Sequence, residues 1–406
     1  MKEIKVVIGA NFGDEGKGLF TDYFSSQHKN GIVVRFNGGS QASHTVTTSN
    51  RNRHAFSHFC SGTLVGLPSY LSSFFIANPI LFRKEFEIVS NFAKPKVYLN
   101  KDCLVATPYD MMINQIVEIN RGVSRHGSCG LGFNETIERN RVFDYGKISV
   151  RNLFDKNLMA HALDSIRKYH IPMRLKSLGV SSIPKMYQDL FKDDSIIENY
   201  LDDIDLLLDN VNIIDNSVLD KYDSVIFEGA QGLRLDQSHK YFPHVTRSNT
   251  GIKNVVSILE QSKLKYENMD IVYITRPYLT RHGAGQLPNE FEDKPYLRIE
   301  DLTNVPNPYQ GTIRYGLLDI NNLSEEISND LLNIKDKEFK YDVSLGISCM
   351  DQIDEEIDYI LDSKKLKTNQ SEFIENVLKV VGVDKGYVSY GPTRDTIKEL
   401  EYKKER

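Results

Sequence analysis

The densest group of chemically able side chains lies near the start of the chain, in the run Gly13-Asp14-Glu15-Gly16-Lys17-Gly18. Glycines let a backbone come close to phosphate oxygens, and Lys17 supplies a charge that can neutralise a terminal phosphate. The run is not a Walker A loop, because Asn11 and Gly18 stand where that motif has its first glycine and its Ser/Thr. Its unusual feature is an acid beside the cradle: Asp14 can hold Mg²⁺ or take a proton, roles that a loop serving phosphate alone does not need. Taken by itself, the same run also reads as a charged turn with glycines for geometry. A second small-residue loop, NGGSQASHT, carries His44, whose side-chain type suits proton exchange near neutral pH.

Both loops need rigid elements behind them. Residues 4 to 9 (IKVVIG) read as a buried strand, and LFTDYFSS after the first loop reads as a helix. Strand, glycine turn and helix is the layout that aims backbone N–H groups at an anion. Gly31 to Phe36 predicts a second strand leading into the His44 loop, and SVIF (224–227), DIVYIT (270–275), 341–347 and 386–390 predict four more, each running into a polar loop. Between Phe154 and Asn210 the apolar spacing is helical. This predicts an α/β chain with ligands at strand C-terminal ends, organised as one domain over 1–406 with a helical insertion around 150–215.

The composition narrows the function classes. The chain has 406 residues, 50 Lys and Arg against 55 Asp and Glu, and a formal charge of -5. That balance argues against a protein that coats nucleic acid or an anionic membrane. Four cysteines without metal-ligand spacing fit a reducing, cytoplasmic setting. The greasiest stretch, Leu71 to Phe82, is too short to span a bilayer, and the first residues do not read as a signal peptide.

In order along the chain, IGANFGDEGKG, VVRFNGGSQASHT, HGSCGLGFNETIERNR, VIFEGAQGLRLDQ, FPHVTRSNT, YLTRHGAGQLPNE, IRYGLLD, ISCMDQID and VSYGPTRD resemble the adenylosuccinate synthetase family over nearly the whole length. The resemblance implies a large, mostly parallel central sheet wrapped by helices, related in its phosphate sites to other GTP-binding proteins, and a homodimer. The implied reaction joins IMP to aspartate at the expense of GTP through a 6-phosphoryl-IMP intermediate, with Mg²⁺ as cofactor. It also implies a role for each matching position. Asp14 is the base that removes the N1 proton, His44 the acid, and Lys17 a charge for phosphoryl transfer. Asp14 and the Ser43 carbonyl hold Mg²⁺. Gly13, Glu15, Gly16, Gly18 and Thr45 meet the GTP phosphates, with Arg314 also on the GTP side, and Asp351, Ser389, Gly391 and Pro392 enclose the guanine. Gln41, Ser128, Cys129, Gln231 and Thr246 hold the purine monophosphate, and Arg139 or Arg141 of a second subunit grips its phosphate.

Three positions depart from the family pattern. Gln41 is longer than the family's asparagine, Ser43 replaces a glycine, and Cys349 stands where a lysine covers the guanine. A larger departure lies between Asn307 and Asp319, where the family's arginine cluster is reduced to Arg314, with Thr312 nearby. Two carboxylates on a small amine donor call for paired, forked cations, so either Arg281 or a residue elsewhere compensates or the amine is another one. Two further readings use the same residues: a nucleotide-binding sensor without ligase turnover, and a phosphoryl transferase that adds no amine.

Overall fold

The computed structural model describes residues 2–262, 264–301 and 311–402. Ten strands form the main sheet: β1 (Lys2–Gly9), β2 (Gly31–Arg35), β3 (Ser69–Leu71), β4 (Val97–Asn100), β5 (Val211–Ile214), β6 (Ser224–Glu228), β7 (Tyr266–Thr275), β8 (Tyr341–Ile347), β9 (Lys385–Ser389) and β10 (Ile397–Glu401). Their spatial order is β10-β9-β8-β7-β1-β6-β2-β3-β4-β5, parallel throughout except for β10. The expected large, mostly parallel sheet wrapped by helices is therefore the fold. All six strands read from the sequence are present, with β7 starting earlier, at Tyr266.

A parallel sheet is covered on both faces, so its central strands bury side chains on both, most of them apolar. Along β1, Val6 and Ile8 join a core with Val225, Phe227, Ile271 and Tyr273. Val7 points the other way, with Ile226, Val272 and Ile274, onto Phe20 and Phe24 of α1 (Lys17–Ser26). Those two rings clamp α1 beneath the sheet and fix where its N-terminus emerges beside the end of β1.

The stretch expected as a helical insertion shares its core with earlier parts of the chain. Met159, Leu163, Ile204 and Leu207 pack with Phe82, Ile113, Leu71 and Leu99. The helix Ser195–Asn210 ends where the helical spacing ends, and Val211 directly after it is the first residue of the sheet's edge strand.

On the opposite side, Asp330 of the helix Ile320–Leu331 is buried and accepts from Ile252 N at 3.0 Å and from the Tyr273 hydroxyl at 2.8 Å. Burial pushes its carboxyl up to about 7, against the pull of those donors. Because the folded form holds its proton longer than the unfolded chain does, this group's stabilising share is full below its ordinary value of 3.8 and is lost as pH rises through about 7. We expect the melting temperature to fall between about pH 4 and about pH 7, and Asp330→Asn to flatten that fall; equal slopes in both proteins would refute it.

Candidate active site

A cleft of about 1200 Å³ opens at the C-terminal ends of β1, β2, β6 and β7. Three loops that border it or adjoin it each hold a non-glycine residue in the left-handed region: Asp14 (φ 61), Gln231 (φ 65) and Cys349 (φ 62). Such backbone costs about 1–3 kcal/mol per residue and persists only where the surroundings over-determine it.

The surroundings of the first loop are specific. The Glu15 carboxylate is 2 % exposed and accepts from Asn11 N at 3.0 Å and Gly13 N at 2.8 Å, while Lys17 Nζ lies 2.9 Å from its other oxygen. Glycine is required around it. A Cβ on Gly9 would lie 2.3 Å from Glu15 Oε2, and one on Gly232 would lie 2.4 Å from the Asn11 carbonyl oxygen. Neighbouring strand ends are laced to the same loop: Asn11 Nδ2 donates to Thr275 Oγ1 at 3.0 Å and Ser348 Oγ to the Glu15 carbonyl at 2.7 Å. Gly16 caps α1 in the left-handed region without a side-chain hydrogen bond, which leaves the first helical N–H groups for an anion.

Asp14 lines the cleft, with His282 Nε2 at 3.3 Å from Oδ2. Burial alone would raise its carboxyl, but the hydrogen bond and charge of His282, with Arg276 and Lys17, outweigh burial and hold it at about 2. The carboxylate is therefore ionised and carries free oxygen valence for a hard cation. Among the described residues no cluster of three His, Cys, Asp or Glu could cage a metal. Mg²⁺ does not require one, since it is bound through one or two carboxylates together with substrate phosphates and water. Asp14 and the exposed Ser43 beside it fit that pattern.

His44 opens the strand His44–Thr47, which packs against the start of α1; a Cβ on Gly18 would lie 3.0 Å from His44 Cβ. Its Nδ1 is 2.8 Å from Glu228 Oε1, and Glu228 also accepts from Ser61 N at 3.2 Å. Burial pushes the imidazole down to about 4, helped by Arg35 and Lys17 and opposed by Glu228. The resting ring is therefore neutral, below the near-neutral value that its type suggests. Neutral, it rests with Nδ1 against the Glu228 carboxylate, and Nε2 is left without a partner among the described residues.

Most residues singled out from the sequence come together here. Gly13, Gly16, Lys17, Gly18, Gln41, Ser43, Thr45, Ser128, Cys129, Gln231 and Thr246 all line the cleft, and Glu15 braces it from below. The buried Gln41 amide atoms lack hydrogen-bond partners in the chain, while Ser128 Oγ accepts from Asn114 Nδ2 at 2.7 Å. Asp351, Ser389, Gly391 and Pro392 sit beyond this lining, at the ends of β8 and β9. The turn they belong to is joined to the His44 hairpin by a bridge between Thr47 and Thr393.

The arginines separate differently. Arg139 is fully buried and forks onto Asp110, with both bonds at 2.9 Å, so it cannot reach a second subunit. Arg141 is exposed and pairs with Glu138. Arg281 donates to the carbonyls of Gln286 (2.8 Å) and His244 (2.6 Å) and stacks on Phe12, so its guanidinium shapes its own loop. Arg314 is likewise spent on Glu290 and the carbonyls of Gly283 and Gly285; Thr312 is exposed, and Asn307 to Gln310 lie outside the described residues. Glu228, Arg276 and His282 were not singled out as site residues. Glu228 lay inside the quoted EGAQG run, at a strand end, and that position was the signal available.

The geometry has a counterpart among known proteins. A family model described as adenylosuccinate synthetase matches residues 6–329. The adenylosuccinate synthetase of Thermoplasma volcanium is 29% identical over 299 residues, which cover 73% of this chain and 65% of that protein, just under two thirds of its length. That of Borrelia turicatae is 28% identical over 81% of this chain and 75% of its own. In three dimensions, the fully ligated adenylosuccinate synthetase of Plasmodium falciparum superposes with a TM-score of 0.74 at 20% identity, covering 97% of this chain and 99% of that one. A succinoaminodeoxyadenylate synthetase of cyanophage S-2L, bound to dGMP and to dATP as energy donor, gives 0.61 at 13%, covering 98% and 95%. With a family match over most of its length and the same sheet beneath its strand-end loops, the chain belongs to the adenylosuccinate synthetase family.

Proposed function

We propose that this protein is a GTP-dependent ligase that forms a C–N bond at purine C6, converting IMP, L-aspartate and GTP to adenylosuccinate, GDP and phosphate. The observation that carries the proposal is the pairing, in one cleft, of an ionised Asp14 with an His44 held by Glu228. The purine 6-oxygen is a poor leaving group and must first become a phosphate ester. Asp14 accepts the N1 proton as the 6-oxygen attacks the γ-phosphorus of GTP and GDP departs. A carboxylate held near 2 takes that proton only while the purine's negative charge passes to the phosphoryl group. The amine of aspartate then attacks C6, the C–O bond breaks with its electrons leaving on phosphate, and the amine's surplus proton passes to that phosphate. His44, oriented through Nδ1, meets the 6-oxygen and the phosphoryl group with Nε2, and the phosphates' negative charge raises its proton affinity when they bind.

Gln41, Ser128, Cys129, Gln231 and Thr246 hold the purine monophosphate. Gly13, Glu15, Gly16, Lys17, Gly18 and Thr45 form the phosphate cradle. Asp351, Ser389, Gly391 and Pro392 form the guanine wall. Asp14 and the Ser43 carbonyl would hold Mg²⁺, which supplies charge compensation for the polyphosphate. Gly311 lines the cleft beside exposed Thr312, at the loop that Arg314 ties down, and that rim receives the amine donor. The protein works as a homodimer in which Arg141 of a second copy reaches the nucleotide phosphate. Exposure of Arg141 together with Val142 (43%) and Tyr145 (82%) supports this. Four unpaired cysteines support a cytoplasmic location.

Incubation with Mg²⁺, GTP and IMP, with and without aspartate, is expected to yield a succinylated nucleotide by mass spectrometry only when aspartate is present; phosphate release that ignores aspartate would overturn the proposal. Asp14→Asn should lower kcat by at least about 100-fold with the melting curve unchanged. Glu228→Gln should also lower kcat by about 100-fold or more, because an amide no longer enforces the Nδ1–H tautomer. Turnover should stop with EDTA and return with excess Mg²⁺.

A further inference from the structure

Among the described residues six Lys and Arg side chains line the cleft, and five of them are already engaged. Lys17 pairs with Glu15 at 2.9 Å, Arg121 with Glu118 at 2.7 Å, Arg174 with Glu135 at 2.7 Å and Arg247 with Glu138 at 2.8 Å, while Arg281 donates to backbone carbonyls. Arg276, which directly follows β7, is the exception. Among the described residues it has no carboxylate within ion-pair distance. Its one hydrogen bond is a long contact of 3.4 Å from Nη1 to the Tyr278 hydroxyl, and its Nε is buried with no partner. The guanidinium carbon lies 5.7 Å from the Tyr278 ring centroid, so the stem is held while the donors stay unused.

Position and charge say what kind of group those donors await. Arg276 lines the cleft with Asp14 and Asp301 and feels the charge of both, and its own charge bears on Asp351 in the loop after β8. The phosphate loop is short of positive charge: Asp14 and Glu15 carry two negative charges and Lys17 one positive, and Lys17 is already bound to Glu15. A cradle with that balance needs further cations to hold a polyphosphate: Mg²⁺ at Asp14 would supply one, and a guanidinium with open donors can supply another. A partly buried guanidinium without an anion pays for its desolvation and regains it when a planar-forked anion arrives.

We infer that Arg276 grips the terminal phosphoryl group of the nucleoside triphosphate, acting in cis as the cation that offsets charge during its transfer. No bond to Arg276 forms or breaks; its N–H groups donate to the phosphoryl oxygens while the phosphorus passes from donor to acceptor. This deepens the functional reading above and rests on it for the identity of the donor.

The test is calorimetric titration of the full chain, in Mg²⁺, with GDP and with a non-transferable imido analogue of GTP, alongside the product assay already described. Wild type should bind the triphosphate more tightly than the diphosphate. Arg276→Ala should reduce that preference at least about 10-fold, the effect of one lost charged hydrogen bond, and Arg276→Lys should restore part of it. Should Arg276→Ala fail to fold, Arg276→Gln, which keeps the stem on Tyr278, carries the same comparison. An unchanged preference in the variants, or no preference in the wild type, overturns the inference. A raised KM for aspartate with the triphosphate preference intact also overturns it, assigning Arg276 to the amine donor's carboxylates. Loss of the preference in a protein that makes no succinylated product leaves this inference standing and refutes the ligase reading.

Discussion

One carboxylate with almost no exposure to water determines the shape of the catalytic end of this molecule. Glu15 takes two N–H groups of its own loop and the Lys17 ammonium, and these bonds bend the chain so that Asp14 faces the cleft in a conformation that few side chains adopt. A buried carboxylate without such donors would be costly, so the loop and its acid stabilise each other. Neighbouring strand ends are fastened to that loop through Thr275 and Ser348, so the positions of Arg276 and of the turn around Asp351 follow from it.

The parallel sheet explains why the chemistry collects at one edge. Every strand from β1 to β9 ends on the same side, and the strand order places β1 between β7 and β6, so loops far apart in sequence meet there. The His44–Glu228 pair is a product of that order. Glu228 ends β6, β2 runs beside it in register with Arg35 opposite Glu228, and the loop after β2 returns His44 to the same carboxylate. Two titratable groups are thereby pushed apart: against its burial, the Glu228 carboxylate is held below its ordinary value by His44, Arg35 and Ser61, and the His44 imidazole is held neutral until anions arrive.

Much of this was legible in the sequence because glycines and polar residues mark strand ends that must approach phosphate closely. The loops at 13–18 and 37–45 stood out as small-residue runs after predicted strands, while the roles within them and the site reading of 228–232 came from the family resemblance. Strands β3, β4 and β5 did not, since three or four residues are too few for alternation to be read, and β5 continues directly from a helix. The engagement of Lys17 by Glu15, the locking of Arg139 onto Asp110 and the spending of Arg314 on carbonyls were not legible either. Whether a cation is free depends on partners supplied by distant segments, and a sequence records only that the cation exists.

The crowding around the phosphate loop also bears on how far such a chain can drift. At Gly9 and Gly232 the smallest possible side chain would sit inside the Glu15 carboxylate or against the Asn11 backbone, and at Gly251 it would meet the Asp330 carboxylate at 1.9 Å. At these three positions a side chain requires the neighbouring acid or backbone to move, and with it either the catalytic loop or the Tyr273 tie under the sheet; Gly132 and Gly316 are closed in the same way, each 2.6 Å from a neighbouring backbone. Random mutagenesis should therefore meet a landscape closed at a scatter of points lacking even the volume of a methyl group, in the helical region at Gly132 as well as around the phosphate loop.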